Sequence, residues 1–340
     1  MFEGKKILIT GGTGSLGQAL TKRLLNEDVD QIRIFSRNEF KQIDMENKFR
    51  SSKLRFLIGD IRDYERLERA IEDIDIVFHT AALKHVPKIE YNPFEAIKTN
   101  VNGSQNVINA CLKENVDRAI CVGTDKAVSP LNTYGATKLL MEKLFVTAKN
   151  YVNTSKTKTK FIALRYGNVF GSSGSVIPKF IEQVQRKEKI TITDPNMTRF
   201  SITMNEALDF ILNATKLGNG SEIFVPKLRS YSILDVKQAI TELLGDYGEE
   251  IVGIRPGEKL HETLINSDEI RDGWEIDNMY MISNPLWQEW LLEKSDIKNP
   301  ENNNSKKICL SGSYSSDKVD RIPVEELKNI IGESGFLNQN

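Results

Sequence analysis

An alternation in the first half of the chain limits its fold more than any other feature. "KKILIT" (5–10), "QIRIFS" (31–36), "LRFLIGD" (54–60), "DIVFHTA" (75–81), "RAICVGT" (118–124) and "KFIALRYG" (160–167) are short, nearly continuous apolar runs. Helical spacing fills the gaps, as in "SLGQALTKRLLNE" (15–27) with Leu16, Leu20, Leu24 and Leu25. Strands that are apolar along their whole length are buried on both faces, which a parallel sheet between two helix layers provides. The fold class expected is therefore α/β, a Rossmann-type doubly wound parallel sheet with right-handed crossovers.

The pattern loosens after Gly171. Helices are predicted over 175–190, 204–218, 232–245 and 324–336, and short strands over 222–226 and 249–255. We read residues 1–170 as a dinucleotide-binding domain that reclaims a later segment at about 200–230. Residues 171–295 then form mainly a smaller α/β substrate-binding cap, and 296–340 a polar linker ("KNPENNNSKK", 298–307) and C-terminal tail. A length of 340 residues accommodates this division.

Composition removes several function classes. The formal net charge is −1, so nucleic acid and anionic membrane are not expected partners. Cys111, Cys121 and Cys309 are too few and too scattered for a disulfide framework or a zinc site, and the first two stand in apolar contexts expected to be buried. With only His79, His85 and His261, no metal site is expected. The N-terminus has no signal-peptide pattern and no apolar run reaches membrane-spanning length, so a cytoplasmic protein is expected.

"ITGGTGSLGQAL" (9–20) sets Gly11, Gly14 and Gly17 between a predicted strand and a predicted helix. Glycines there allow a tight turn and close approach of a pyrophosphate to a helix N-terminus. The second strand ends in Ser36 and Arg37, with Lys41 nearby, where NAD sites usually carry an acid on the ribose hydroxyl. A serine and an arginine suit a 2′-phosphate, so NADP is favoured. Asp60 ends the third strand, where it can meet the adenine or simply cap a helix.

"VGTDKAVSPLNTYGATK" (122–138) holds the densest set of ionisable groups. Tyr134 and Lys138 are four residues apart on one helical face. An ammonium beside a phenol favours the phenolate and so lowers the tyrosine pKa. Asp125 and Lys126 follow the fifth strand, whose end points into the cofactor cleft. A lysine base there requires a lowered pKa.

"GGTGSLG", "GDIRD", "HTAA", "NVNGSQNV" and "YGATK" resemble, in order, the extended short-chain dehydrogenase/reductases, over roughly residues 5 to 290. "FSRNEFKQ", "AALKHVP", "TDKAVSPLNTYGATK", "RYGNVFGSSGSVIPKF" and "RPGEKLHE" resemble the soluble C5-inverting UDP-N-acetylglucosamine 4,6-dehydratases of pseudaminic acid biosynthesis. The resemblance implies catalysis by Thr124, Asp125, Lys126, Tyr134 and Lys138. Tyr134 would take the 4-hydroxyl proton as hydride passes to NADP, Lys126 would remove the C5 proton, and Asp125 would protonate the departing 6-hydroxyl. Thr124 would support the 4-oxygen. Hydride would then return to C6, so NADP(H) stays tightly bound and is recycled.

By the same resemblance the cofactor would meet Gly11, Thr13, Gly14, Ser15, Leu16, Gly17, Ser36, Arg37, Lys41, Asp60, Ile61, Ala81, Lys84, Tyr134, Lys138 and Val169. UDP-N-acetylglucosamine would meet Lys84, Thr124, Tyr134, Asn168, Ser172, Ser173, Val176, Arg199, Arg255 and Glu258, the two arginines on its diphosphate. A homo-oligomer, dimer or hexamer, is implied as well. His85 and His261 lie in motif segments and are expected to hold structure by hydrogen bonds. Retaining dehydratases carry Thr-Asp-Glu where this chain has Thr-Asp-Lys, and 4-epimerases lack the acid–base pair. An NADPH-sensing regulator on the same fold usually loses the Tyr/Lys pair kept here.

Overall fold

The computed structural model describes residues 1–151, 157–171, 175–283, 306–310, 312–333 and 337. The chain begins with β1 (Lys6–Thr10), α1 (Ser15–Leu24), β2 (Gln31–Ser36), α2 (Glu39–Phe49), β3 (Leu54–Ile58), α3 (Tyr64–Ile71) and β4 (Ile76–His79). Two short helices, α4 (Val86–Tyr91) and α5 (Pro93–Ala96), lead through a π-helical turn (Ile97–Asn102) into α6 (Gly103–Lys113). Then come β5 (Arg118–Val122), α7 (Thr133–Thr147), β6 (Lys160–Leu164), β7 (Asn168–Val169), α8 (Val176–Gln185), β8 (Ile190–Ile192) and β9 (Thr198–Ile202). The later elements are α9 (Met204–Leu217), β10 (Glu222–Pro226), β11 (Ser230–Ser232), α10 (Ile233–Leu244), β12 (Glu249–Ile251), β13 (Thr263–Ile265), β14 (Gly273–Ile276) and β15 (Met279–Ser283). β16 (Lys306–Lys307), β17 (Tyr314–Ser315) and α11 (Val324–Glu333) complete the trace.

The large sheet has the order β16-β14-β15-β10-β6-β5-β4-β1-β2-β3. From β3 to β10 neighbouring strands are parallel, and β15, β14 and β16 continue antiparallel. β1, β4, β5 and β6 are buried along almost their whole length, as apolar strands covered on both faces must be. Two apolar cores lie on opposite faces of the sheet, one containing Leu67, Val107 and Phe145, the other Leu20, Leu24 and Ile211. The doubly wound α/β expectation is met. Cys111 and Cys121 are fully buried, and burial pushes both thiols up.

A third core unites α8, β8, α10 and α11 through Phe180, Ile192, Val236, Ile240 and Leu327. The predicted 222–226 strand is β10, which lies in the large sheet beside β6, whereas β12 of the 249–255 prediction pairs with β8. The predicted helix over 175–190 is shorter, because Ile190 already opens β8. Most of the 298–307 linker lies outside the described residues, as do 334–336 of the terminal helix prediction.

A buried ion cluster locks the region below the site. Arg165, fully buried just after β6, donates from Nε to Glu142 on α7 at 3.0 Å and from Nη1 to the Leu264 carbonyl at 2.8 Å and Glu269 at 2.9 Å. Such a cluster fixes α7 and the segment after β13 relative to β6. Among the described residues no helix is long and apolar enough to cross a membrane.

Candidate active site

The parallel strands of the large sheet all end along one edge, and the sequence-predicted site residues follow those ends. Gly11–Gly17 come after β1, Arg37 after β2, Asp60 and Ile61 after β3, Ala81 and Lys84 after β4, and Thr124–Lys126 after β5. Ligands bind outside the carboxyl ends of strands in such open sheets.

Gly11 has φ +68°, and a Cβ there would stand 2.8 Å from Ala81 Cα, so only glycine fits this turn. Thr13 is buried beside it. Gly14 is the N-cap of α1 and makes no side-chain cap, and the first turn, Ser15 to Gly17, carries no acid. Its N–H groups are thus left for an anion. At the end of β2, Ser36 Oγ accepts from Gln42 Nε2 at 3.0 Å, leaving its own proton free to donate outward. Gln42 is buried, also donates to the Ser36 and Leu57 carbonyls, and was not singled out in the sequence. Arg37 and Lys41 are exposed. Burial works to raise the Asp60 carboxyl, but hydrogen bonds from Arg62 and the nearby Arg37 hold it below the usual carboxylate range.

Asn100 is a second residue given no role in the sequence, although it opens the quoted "NVNGSQNV" segment. It is fully buried in the π-helical turn, a distortion frequent at functional sites. Its amide accepts from Leu83 N at 2.8 Å and donates to the Leu83 carbonyl and to Thr137 Oγ1 at 2.9 and 3.0 Å. The loop carrying Ala81 and the exposed Lys84 is thereby clamped to α7.

The acid–base segment is a single 3₁₀ turn, Asp125–Ala127. Thr124 Oγ1 and Lys126 Nζ donate to Asp125 Oδ1 at 2.9 and 3.0 Å, and Lys126 also donates to Asn168 Oδ1 at 3.3 Å. Asp125 is fully buried, and its Oδ2 has no hydrogen-bond partner among the described residues. Gly135 brings α7 against this turn, since a Cβ there would lie 2.2 Å from the Lys126 carbonyl oxygen.

Two electrostatic expectations are corrected. Burial alone favours a neutral Lys126, but Asp125 and Glu262 outweigh it and raise the amine above its ordinary range instead of lowering it. The Tyr134 phenol is also raised, first by burial and then by Asp125, while Lys126 and a hydrogen bond with Thr124 oppose the shift. The cation that acts on Tyr134 is Lys126, not Lys138. Lys138 Nζ turns down the helix to the Val122 carbonyl at 2.6 Å and Met141 Sδ at 3.2 Å, and burial lowers it to about 8.

On the cap side, Arg199 departs from its expected part as a diphosphate fork. It is 8 % exposed and turned inward, with Nη1 on the Thr198 and Leu260 carbonyls and Nη2 on the Lys259 carbonyl and Met197 Sδ. Arg255 is exposed and 3.7 Å from Glu258. Their loop is tied to the segment before α7 by Asn132 Nδ2 on the Gly257 carbonyl at 2.9 Å and Lys259 Nζ on the Val128 carbonyl at 2.5 Å. Val169 and Val176 are partly buried, and Ser172 and Ser173 lie outside the described residues. His261 Nδ1 shares a hydrogen bond with Thr198 Oγ1 at 2.8 Å, the structural part expected of it. The third residue missed is Glu262, 2 % exposed and 3.4 Å from Lys126 Nζ. Its only sequence signal is its place at the end of "RPGEKLHE".

Comparison with known proteins agrees with this fold. The chain is 45% identical over 341 residues to a Campylobacter jejuni subsp. jejuni serotype O:23/36 protein named UDP-N-acetylglucosamine 4,6-dehydratase (inverting), covering 99% of this chain and 100% of the relative. A Rickettsia bellii protein named UDP-glucose 4-epimerase is 40% identical over 346 residues, covering 100% of this chain and 98% of the relative. The X-ray structure of Pen from Bacillus thuringiensis superimposes with a TM-score of 0.89 at 39% identity, covering 99% of this chain and 100% of that one. The polysaccharide biosynthesis protein family profile matches residues 7–284, and the chain belongs to that family on an extended short-chain dehydrogenase/reductase fold.

Proposed function

We propose that this chain is a UDP-N-acetylglucosamine 4,6-dehydratase that inverts C5 and retains NADP(H) through the cycle. The observation that carries the reading is Asp125. Its Oδ2 is a buried, unpartnered acceptor on a carboxylate whose other oxygen already holds Thr124 and Lys126. Buried polar atoms are almost always satisfied, so this one fits a hydroxyl brought by substrate.

The uncapped N-terminus of α1 and the Gly11–Ala81 approach suit a dinucleotide pyrophosphate. Ser36, Arg37 and Lys41 suit a 2′-phosphate, and Asp60, Ile61, Ala81, Lys84, Lys138 and Val169 are proposed to line the rest of the dinucleotide. When bound, the nicotinamide supplies the hydride acceptor and donor. Tyr134, hydrogen-bonded to Thr124, takes the proton of the 4-hydroxyl in its phenolate form, which burial disfavours and the neighbouring Lys126 ammonium favours. Lys126 then removes the C5 proton while Asp125 protonates the 6-oxygen, and water leaves.

That elimination needs an amine and a carboxylic acid, whereas Asp125 and Glu262 hold Lys126 as an ammonium in the free site. One proton moved across the 3.0 Å Lys126–Asp125 contact converts one pair into the other with no change in net charge. The elimination itself regenerates the ammonium and carboxylate. A site of this kind needs no outside proton to start and none to reset. Lys84, Asn168, Ser172, Ser173, Val176, Arg255 and Glu258 are proposed to hold the sugar nucleotide, and the chain is proposed to work as a homo-oligomer.

The test is incubation of the purified protein with UDP-N-acetylglucosamine in deuterium oxide without added cofactor. The expected product is a 4-keto-6-deoxy sugar of L-arabino configuration with deuterium at C5. Recovery of a C4 epimer alone would favour the epimerase reading that the Rickettsia relative's name raises, and a D-xylo product from the earliest times would refute inversion.

A further inference from the structure

Lys126 stands between two carboxylates from distant parts of the chain. Asp125 is its neighbour in the turn after β5. Glu262 comes from the cap side, with Oε1 3.4 Å from Lys126 Nζ and 3.8 Å from Arg199 Nε. Its Oε2 is buried with no hydrogen-bond partner among the described residues.

The Glu262 backbone is held more firmly than a cap loop requires. Its N–H donates to Ser316 Oγ at 2.9 Å, and its carbonyl accepts from Ser316 N at 2.8 Å and Ser315 Oγ at 3.2 Å. Ser316 Oγ also shares a hydrogen bond with Thr198 Oγ1 at 2.7 Å, which in turn meets His261. The C-terminal segment carrying β17 thus fixes the glutamate. Arg199, anchored on three carbonyls, sets a permanent positive charge beside it.

We propose that Glu262 is the positioning residue of Lys126: it aims the amine toward Asp125 and Asn168 and balances the ammonium formed when Lys126 takes a proton from substrate. The arrangement parallels an aspartate that orients a catalytic histidine and stabilises its cation. The inference rests on the dehydratase reading for its reaction, but its geometry does not. The charged and titratable groups facing Lys126 are Asp125 on its own turn, Tyr134 on α7, Arg199 on β9, Tyr231 on β11, and Lys259 and Glu262 on the cap loop.

The test is Glu262→Gln, which keeps the shape and removes the charge. Competitive labelling of Lys126 with acetic anhydride across pH, read by peptide mass spectrometry, reports the amine directly and needs no turnover. The labelling midpoint is expected to fall by about one pH unit in E262Q and to stay near the wild-type value in Glu262→Asp. In turnover with UDP-N-acetylglucosamine, the kcat of E262Q is expected to fall about 100-fold at high pH. The loss should shrink as pH falls, because a lowered lysine pKa moves to lower pH the alkaline limb, where the Lys126–Asp125 pair loses its shared proton. An unchanged labelling midpoint, or a loss equal at every pH, overturns the proposal. Wild-type protein that fails to dehydrate the sugar refutes the functional reading alone, since the labelling still decides the part of Glu262. Should E262Q not fold, Ser316→Ala, which loosens the glutamate's backbone, is read by the same labelling and is expected to shift it in the same direction.

Discussion

Replacing Lys126 with alanine tests the electrostatics and the chemistry together. The substitution leaves Asp125 and Glu262, whose side chains are 1% and 3% exposed, without the ammonium between them. Asp125 keeps the Thr124 hydroxyl at 2.9 Å, and Glu262 keeps Arg199 only at 3.8 Å. Breaking a buried ion pair from one side costs about 3–5 kcal/mol. Lys126 is itself 24% exposed, so the low end, about 3 kcal/mol, is expected. The orphaned carboxylates can escape that cost by taking a proton in the folded state. The folded variant then binds more protons than its unfolded chain, so its stability falls as pH rises. The deficit is therefore expected to be smaller at pH 5 than at pH 8, where it approaches about 3 kcal/mol. Urea unfolding of wild type and K126A at both pH values measures this. A deficit that does not change with pH would refute the idea that two charged carboxylates are stranded. In the same variant, dehydration should drop by about 10²–10⁴-fold while the bound cofactor is retained.

Two further outcomes follow from the helix that carries the tyrosine. Gly135→Ala places a Cβ 2.2 Å from the Lys126 carbonyl oxygen and 3.0 Å from Pro130 Cβ, so α7 must move away from the acid–base turn. Turnover should fall by about 100-fold with cofactor content unchanged, measured by product formation and by absorbance of released NADP(H), because a misplacement of about 1 Å is enough for such a loss. Lys138→Met probes the buried amine. Its folded pKa of about 8 lies below the ordinary 10.5, so between those values the unfolded chain binds a proton that the folded chain has released. Wild-type stability should therefore rise relative to K138M as pH goes from 8 to 10, and parallel urea midpoints over that range would contradict the burial of the amine.

Much of this was legible in the sequence because the information is local. Six apolar runs mark the six parallel strands from β1 to β6, and four of the runs extend past the C-terminal end of their strand. "RAICVGT" was read to 124, and the strand stops at Val122, because Thr124 and Asp125 leave the ladder to build the site. Asp125, Lys126 and Tyr134 could be named since they lie within ten residues of one another on one strand–turn–helix unit. The hairpin of β14 and β15 was missed. "GWEIDNMYMIS" mixes polar and apolar residues without clean alternation, and its pairing with β10 is made only in three dimensions.

What stayed hidden is the set of long-range partners, and these decide charge. YxxxK spacing places Lys138 on the face of Tyr134, but spacing does not say where a flexible ammonium turns, and the Val122 carbonyl is the acceptor it finds. Arg199 reads as a phosphate fork until three backbone carbonyls are seen to take its donors. Glu262 is invisible as a neighbour of Lys126 because the two meet only when the cap loop closes against the strand ends. The charge of Lys126 is therefore set in part by a residue far from it in sequence, Glu262. The Asp-Lys dipeptide nominates the proposed base and acid, while the hydrogen bonds of Ser315 and Ser316 to the Glu262 backbone hold the distant carboxylate that acts on the lysine.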